Sequence, residues 1–298
     1  MNALLAANPH STLRWALLAV FLLVALLELL WLQRRGAPPD WRESAASLGV
    51  AVGQHAAAAL TAGLFGGLYW WCWTHRLWTV PLKTWWGPLL LFVVAEFVYY
   101  WQHRLSHECR WLWASHAVHH SPRHLNLSAA YRLGWTAGIS GHGLFLIPPI
   151  LLGLHPLALL GTFAINLLYQ FWLHTELVPR LPGLDRILNT PSNHRVHHAV
   201  NPRYLDRNYS GMLIVFDRLF GTWVPESDGE PCRYGLVRPL LSNNPLHIAF
   251  HEWIALARDL RYAGSVRAAL GHLFGPPGWR PDGSGITTRS LRQSVPAT

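Results

Sequence analysis

From Trp15 to Leu32 the chain runs apolar for eighteen residues apart from Glu28, and Arg34, Arg35 and the breaker Gly36-Ala37-Pro38-Pro39 close the run. This is the pattern of a membrane helix and its stop. It does not read as a signal peptide: the run is too long, its charged flank follows it, and no small-x-small site comes after. A second span is expected from about Ala46 to Trp73, rich in Ala and Gly and ending on Tyr69, Trp70, Trp71 and Trp73. A third starts at Trp85-Trp86 and reaches Trp101. Gly143 to Leu173 is also apolar, but Pro148-Pro149 and His155-Pro156 break it into pieces too short for spans needing about 20 residues each. They predict a helical hairpin that enters from one face and returns to it. From Ile248 to Leu260, Phe250, Trp253, Ile254 and Leu256 stand against Arg258 and Arg261, fitting either an interfacial helix or a helix packed on the rest of the protein. Beyond Pro276 the chain is rich in Pro, Gly, Ser and Arg and is expected to be loose. The fold class predicted is an all-α integral membrane protein, with about three transmembrane helices, a membrane-inserted helical hairpin and a cytoplasmic helical domain rich in histidine. Residues 1–83 form the N-terminal transmembrane helices, 84–240 the histidine-rich domain, and 241–298 the interfacial helix and tail.

Composition agrees with the membrane reading. Of 298 residues 51% are apolar and only 13% charged, where a soluble domain carries about 25% charged. Disorder, a disulfide scaffold and an ordinary soluble domain are excluded. The 24 Lys+Arg against 15 Asp+Glu, a net +9, fit nucleic acid or an anionic membrane face, and the apolar runs select the membrane. If 34–42 is cytoplasmic, so are 102–140 and everything after about 174, leaving only Arg14, Arg76 and Lys83 outside. That is a positive-inside pattern with the histidine-rich segments on the cytoplasmic side. Lys83 is the single lysine, a skew that points to a GC-rich bacterial genome and so to an inner membrane. Cys72, Cys109 and Cys232 share no pattern and read as structural thiols.

Eight of the 18 His fall into three groups. The third span runs into His103-Arg104-Leu105-Ser106-His107; Ser115-His116-Ala117-Val118-His119-His120 follows; Asn193-His194-Arg195-Val196-His197-His198 comes later. On a helix, positions i and i+4 share a face, so each group can aim two or three imidazoles at one point. Chance supplies roughly 0.06 HxxHH matches at this His frequency, whereas the chain has two. Metal ligation is the reading, and eight imidazoles exceed the three or four that one zinc takes, so two metals share the set. Imidazole suits Zn, Cu, Fe and Ni alike, and spacing does not name the metal. His10, His75 and His272 flank apolar segments, His55 and His155 interrupt them, and His124, His142, His247 and His251 lack the spacing.

HRLSHE at 103–108, HAVHH at 116–120 and HRVHH at 194–198 resemble the fatty acid hydroxylase and sterol desaturase superfamily of membrane di-iron oxygenases. LLYQFWLHTE at 167–176, ILNTPSN at 187–193, DRNY at 206–209 and FDRLFGT at 216–222 look most like its alkylglycerol monooxygenase branch. The resemblance implies a catalytic domain over 84–240 with His103, His107, His116, His119, His120, His194, His197 and His198 as metal ligands and His174 as a ninth. Fatty acid 2-hydroxylases carry a second HxxxH around His174, and here its first position is Gln170, which leaves one metal a ligand short or completed by water. Glu108 matches an acidic position of the branch, as ligand or acceptor.

Metal-bound His donates its other ring N–H to a carboxylate, carbonyl or water. Glu96, two turns before His103 on the same face, and Asp206, near the last group, are the candidate carboxylate partners, with Asn189, Asn193 and Asn208 also crowding that group. Asn126 and Arg132 are candidates to orient a ligand or meet a lipid headgroup. The resemblance implies an O2-dependent lipid C–H hydroxylase with two Fe ions that cleaves alkylglycerol ethers; the alternative is a hydroxylase or desaturase of sterol, fatty acyl or ornithine-lipid chains. Two electrons come from a separate reductase or reductant, a tetrahydropterin by resemblance, since no GxGxxG or P-loop is present. No nucleic acid partner is expected. A metal transporter or sensor is the other class, but its ligands belong near the bilayer midplane in repeated halves, and this chain has no such repeat.

Overall fold

The computed structural model describes residues 9–294, with side chains from Trp15 onward; His10 and Arg14 fall outside the described side chains. It is all-helical, and among the described residues there are only isolated β-bridges and no strand. Eleven α-helices follow in order among these residues: α1 (Pro9–Arg34), α2 (Trp41–Thr74), α3 (Trp86–Glu108), α4 (Arg110–His120), α5 (Ile147–Leu151), α6 (Pro156–Phe171), α7 (Pro191–His198), α8 (Val215–Leu219), α9 (Pro245–Arg261), α10 (Val266–Phe274) and α11 (Thr288–Gln293).

Two of them, α1 over Trp15–Arg34 and α2, are long and apolar enough to cross a membrane. At 34 residues α2 is about 51 Å long, well beyond a hydrocarbon core of about 30 Å. Its first three turns bury Glu43, Ser44, Ala46, Ser47 and Val50 against the histidine-rich region, while Leu60 and Leu64 farther along are exposed. Asp40 starts it by accepting from the amides of Arg42 and Glu43, each at 3.0 Å. Glu28, the charge inside the first apolar run, is buried and accepts from the Leu127 amide at 2.6 Å and from the Thr175 hydroxyl, beside His174. Through these contacts α1 and the first turns of α2 are tied to the histidine-rich region.

The expected hairpin is lopsided. Pro148 and Pro149 open the short α5 after a 3-10 turn at His142–Leu146, because proline fits the first helical turn. Only the returning arm, α6, is a full helix. The tip is pinned to the α2–α3 loop by Leu77 N–H to Leu151 O at 2.8 Å and Val80 N–H to Gly153 O at 2.9 Å. A core of Tyr69, Cys72, Leu91, Ala95, Val98, Ile150 and Leu159 joins α2, α3, α5 and α6.

Cys109 breaks the chain direction between α3 and α4 with extended angles (φ −117°, ψ 118°). The helix α9 lays Ile248, Ala249 and Leu256 on the body of the protein, with Trp253 donating to Thr136 at 2.8 Å, and leaves Leu246 and Ile254 exposed. Arg110 of α4 grips it through Glu252 at 2.9 Å and Asp259 at 2.6 Å. After Pro276 the chain makes a turn at Gly278 and then forms α11. Gly278, at φ +83°, passes so close to Ile286 that a Cβ would lie 2.1 Å from its carbonyl oxygen, which only glycine permits, and the turn brings α11 back onto the body.

Candidate metal centre

Three helices and one helix end converge. The last turns of α3 carry His103 and His107, α4 carries His116, His119 and His120, the segment after α6 carries His174, and α7 carries His194, His197 and His198. Their nitrogens sort into two groups, each with ligand atoms within 4.8 Å of one another: His103, His107, His116, His120 and His197, and His119, His174, His194 and His198. The HxxHH spacing divides each helix between them. On α4 the i and i+4 rings serve the first group and the i+3 ring the second; on α7 the assignment is reversed. All nine residues named from the sequence are brought together.

The ring tautomers are set mainly by backbone. His103 Nδ1–H donates to Tyr209 O at 2.6 Å, His119 to Arg132 O at 3.1 Å, His174 to Gln170 O at 2.9 Å and His197 to Arg207 O at 3.0 Å. Each such ring then keeps a lone pair on Nε2. Burial lowers His119 to about 4 and His174 to about 3, which keeps both of these rings neutral.

These donors fit a cation. The Nε2 atoms of His119 and His174 face each other at 3.3 Å with no proton between them, since both Nδ1 atoms carry theirs. His116 Nε2 meets two others, at 3.0 Å from His103 and 3.1 Å from His120. His107 and His197 leave buried Nε2 atoms without any hydrogen-bond partner. Two nitrogens each about 2.1 Å from one ion lie ~3.0 Å apart at a right angle and ~3.4 Å apart at the tetrahedral angle. The observed spacings match that range, and a dication between the lone pairs turns repulsion into coordination.

The expected carboxylates part ways. Asp206 Oδ1 stands 3.5 Å from His107 Nδ1. Burial pushes its carboxyl up, but the His107 contact, Thr288 and Arg292 prevail and hold it below the usual range. Glu108 does not reach the groups: its side chain is 41% exposed and paired with Arg104 at 2.9 Å, one turn back on α3. Glu96 touches no ring either. It accepts from Asn166 and from the Met212 and Leu213 amides at 2.9 Å, tying α3 to α6 and to the loop before α8. Gln170, at the position of the missing histidine, is held by the Tyr99 hydroxyl at 2.8 Å and by Asn166.

The polar residues around α7 hold loops. Asn208 binds Asn193 O and Val224, Asn189 binds Ser210 O and Gly211 O, and Asn193 binds Asp185 O and Leu188 O. Asn126 caps the 3-10 turn at Ser128. The Arg132 guanidinium, 1% exposed, is spent on Ser47, Ser121 and Glu43 O, so the residue serves His119 through its carbonyl and meets no headgroup. His142, between Ser106 at 3.0 Å and Ser140 at 2.9 Å, is outside both groups, as are the other histidines without box spacing. Sequence reasoning missed Asp217, which is fully buried and fixes the Tyr209 segment behind His103 by accepting from Tyr209 N at 2.8 Å, Ser210 N at 2.7 Å and Thr222 at 2.6 Å. A carboxylate inside an apolar stretch was the available signal.

Residues 88–222 match the fatty acid hydroxylase family. The chain is 42% identical over 203 residues to an alkylglycerol monooxygenase of Danio rerio, covering 66% of this chain and 43% of that protein. It is 37% identical over 227 residues to the Homo sapiens alkylglycerol monooxygenase, covering 74% and 48%. An ornithine lipid hydroxylase of Rhizobium tropici is 34% identical over 131 residues, covering 44% and 40%. The chain thus spans less than half the length of each of these relatives. No solved structure matches it. Two interleaved histidine groups on the last turns of α3, on α4 and on α7, all inside the matched segment, agree with that match: residues 88–222 carry a fatty acid hydroxylase domain.

Proposed function

We propose that this protein is a membrane-bound, O2-dependent lipid hydroxylase that holds two iron ions, one in each histidine group, and cleaves alkylglycerol ethers. The observation that carries the reading is the pair of buried groups of Nε2 lone pairs at metal-ligand spacing. The alkylglycerol monooxygenase relatives support the substrate class.

Bound iron would supply the activation of O2 and the oxidation of an unactivated C–H bond. The chain's own residues do the rest. Main-chain carbonyls of Tyr209, Arg132, Gln170 and Arg207 hold four rings in the Nδ1–H form, so their Nε2 atoms need shed no proton to ligate. Burial of eight of the nine rings limits how far bulk water reaches the centre. The carbon attacked is the one next to the ether oxygen. One oxygen atom of O2 enters as hydroxyl and the other leaves as water with two electrons and two protons from an external reductant, a tetrahydropterin in this reading. The hemiacetal then collapses to an aldehyde and a glycerol, with its hydroxyl proton passing to the departing ether oxygen.

In the same reading α3 is a third span, and the α5–α6 hairpin enters the bilayer from the side of the histidine groups, with the basic loops and those groups on the cytoplasmic face of a bacterial inner membrane. The 34% identity to an ornithine lipid hydroxylase favours a second reading, hydroxylation of an acyl chain without cleavage. Membranes with and without the protein, fed labelled alkylglycerol or labelled ornithine lipid, decide the matter. Fatty aldehyde supports ether cleavage, hydroxylated ornithine lipid supports the second reading, and no product from either overturns both.

A further inference from the structure

The C-terminal helix α11 supplies no histidine, yet it ends at the metal centre. We propose that Thr288 and Arg292 are positioning residues for the five-histidine group, locking the Asp206 carboxylate behind His107; this rests on the reading that the groups hold metal ions. His107 is, among the nine rings, the one faced by a side-chain carboxylate, 3.5 Å from its Nδ1. The carbonyls behind His103, His119, His174 and His197 are fixed by the path of the main chain. A carboxylate must also be fixed about its own side-chain torsions.

That second restraint comes from α11. While Oδ1 of Asp206 faces the ring, Oδ2 accepts from the Thr288 hydroxyl and from Arg292 Nη1 at 3.2 Å. The same Nη1 donates to Leu205 O at 3.0 Å, so one guanidinium nitrogen grips both the side chain and the segment carrying it. Asp206 itself sits at φ +53°, a left-handed conformation that costs a non-glycine residue energy and persists where its surroundings impose it. Thr288 also joins His107, His120, His197, His198 and Asp206 around a small cavity of 50 Å³, so α11 forms part of that cavity's wall. The helix is secured by the Thr287–Ser290 capping box and by the glycine turn at Gly278.

Loss of the partner behind a ligating histidine weakens metal binding roughly 10–100-fold. The effect should fall on one group only, since the four-histidine group leans on Arg132 and Gln170 carbonyls remote from α11. The test is cobalt(II) titration of the purified, metal-stripped full chain in detergent, followed by its visible absorption. The variants are Arg292→Ala, Arg292→Lys and the double variant Thr288→Val/Arg292→Ala, with the exposed Arg289→Ala as control. Wild type and Arg289→Ala are expected to take two equivalents. The double variant and Arg292→Ala should take one normally and the other about 10–100-fold more weakly, and Arg292→Lys should recover part of the loss. Wild-type affinity and spectrum in the double variant overturn the proposal. Equal weakening of both equivalents, or aggregation of Arg292→Ala and Arg292→Lys alike, also overturns it, because α11 then serves the fold at large. A wild-type chain that takes up no cobalt overturns the metal reading itself.

Discussion

Asp217 offers the sharpest check on how the loop after α7 supports the centre. Its Oδ1 accepts from Tyr209 N at 2.8 Å and Thr222 Oγ1 at 2.6 Å, and its Oδ2 from Ser210 N at 2.7 Å, with the residue fully buried. In Asp217→Asn an NH2 must replace one of these oxygens. Turned toward Ser210 N–H it loses that bond; turned the other way it loses the Tyr209 bond, while the Thr222 hydroxyl can rotate to accept from it. Bonds to a charged acceptor contribute about 1.5–3 kcal/mol each, and an orphaned buried N–H adds to the loss. One bond lost and two weakened amount to about 2–4 kcal/mol. At ~2–4 °C per kcal/mol for a chain of this size class, Tm should fall by roughly 5–10 °C. Thermal unfolding of the purified protein followed by near-UV circular dichroism gives the shift. Metal content gives an independent readout, because Tyr209 O receives the His103 Nδ1–H and moves with the loop. A Tm within about 1 °C of wild type, with metal fully retained, would refute the assignment.

Glu108→Ala should leave metal content unchanged and shift stability by no more than about 0.5 kcal/mol, as for an exposed i, i+4 pair; a fall in bound iron would place Glu108 at the centre after all. Arg132→Lys should cost about 2–4 kcal/mol in thermal unfolding, because one ammonium cannot reproduce the planar fork that reaches Ser47, Ser121 and Glu43 O, and an unchanged Tm would contradict this. For the metal-free chain, burial lowers His119 to about 4 and His174 to about 3 from 6.5, so the unfolded chain takes up these protons first. Stability is then complete above pH 6.5 and lost as pH falls toward those values, about 3 kcal/mol from His119 alone. Denaturant midpoints that do not fall between pH 7.5 and 5 would rule this out.

The histidines were legible because their spacing is local: i, i+3 and i+4 on one helix fix relative directions before any tertiary contact forms. Their division into two groups was not, since it depends on how α4 and α7 cross. Glu96 and Glu108 show the limit of spacing arguments for carboxylates. A shared helix face does not name a partner, and Asn166 with the 212–213 amides claims one while Arg104 claims the other. The carbonyls of Tyr209, Arg207 and Arg132 left no trace in side-chain pattern, since every residue carries a carbonyl. Pro148-Pro149 read as a break where the chain uses it as a start, and the polar composition after Pro276 hid a helix held by a few specific contacts.

The reversed use of HxxHH on α4 and α7 has a thermodynamic consequence. Each helix is a stiff rod carrying rings of both groups, so an ion seated in one group would fix the orientation of rings that belong to the other. Part of the ordering cost of the second site is then already met, so an ion entering second should bind more tightly than the same group would hold it alone. A change that loosens either rod, wherever along it the change falls, should therefore depress both affinities together.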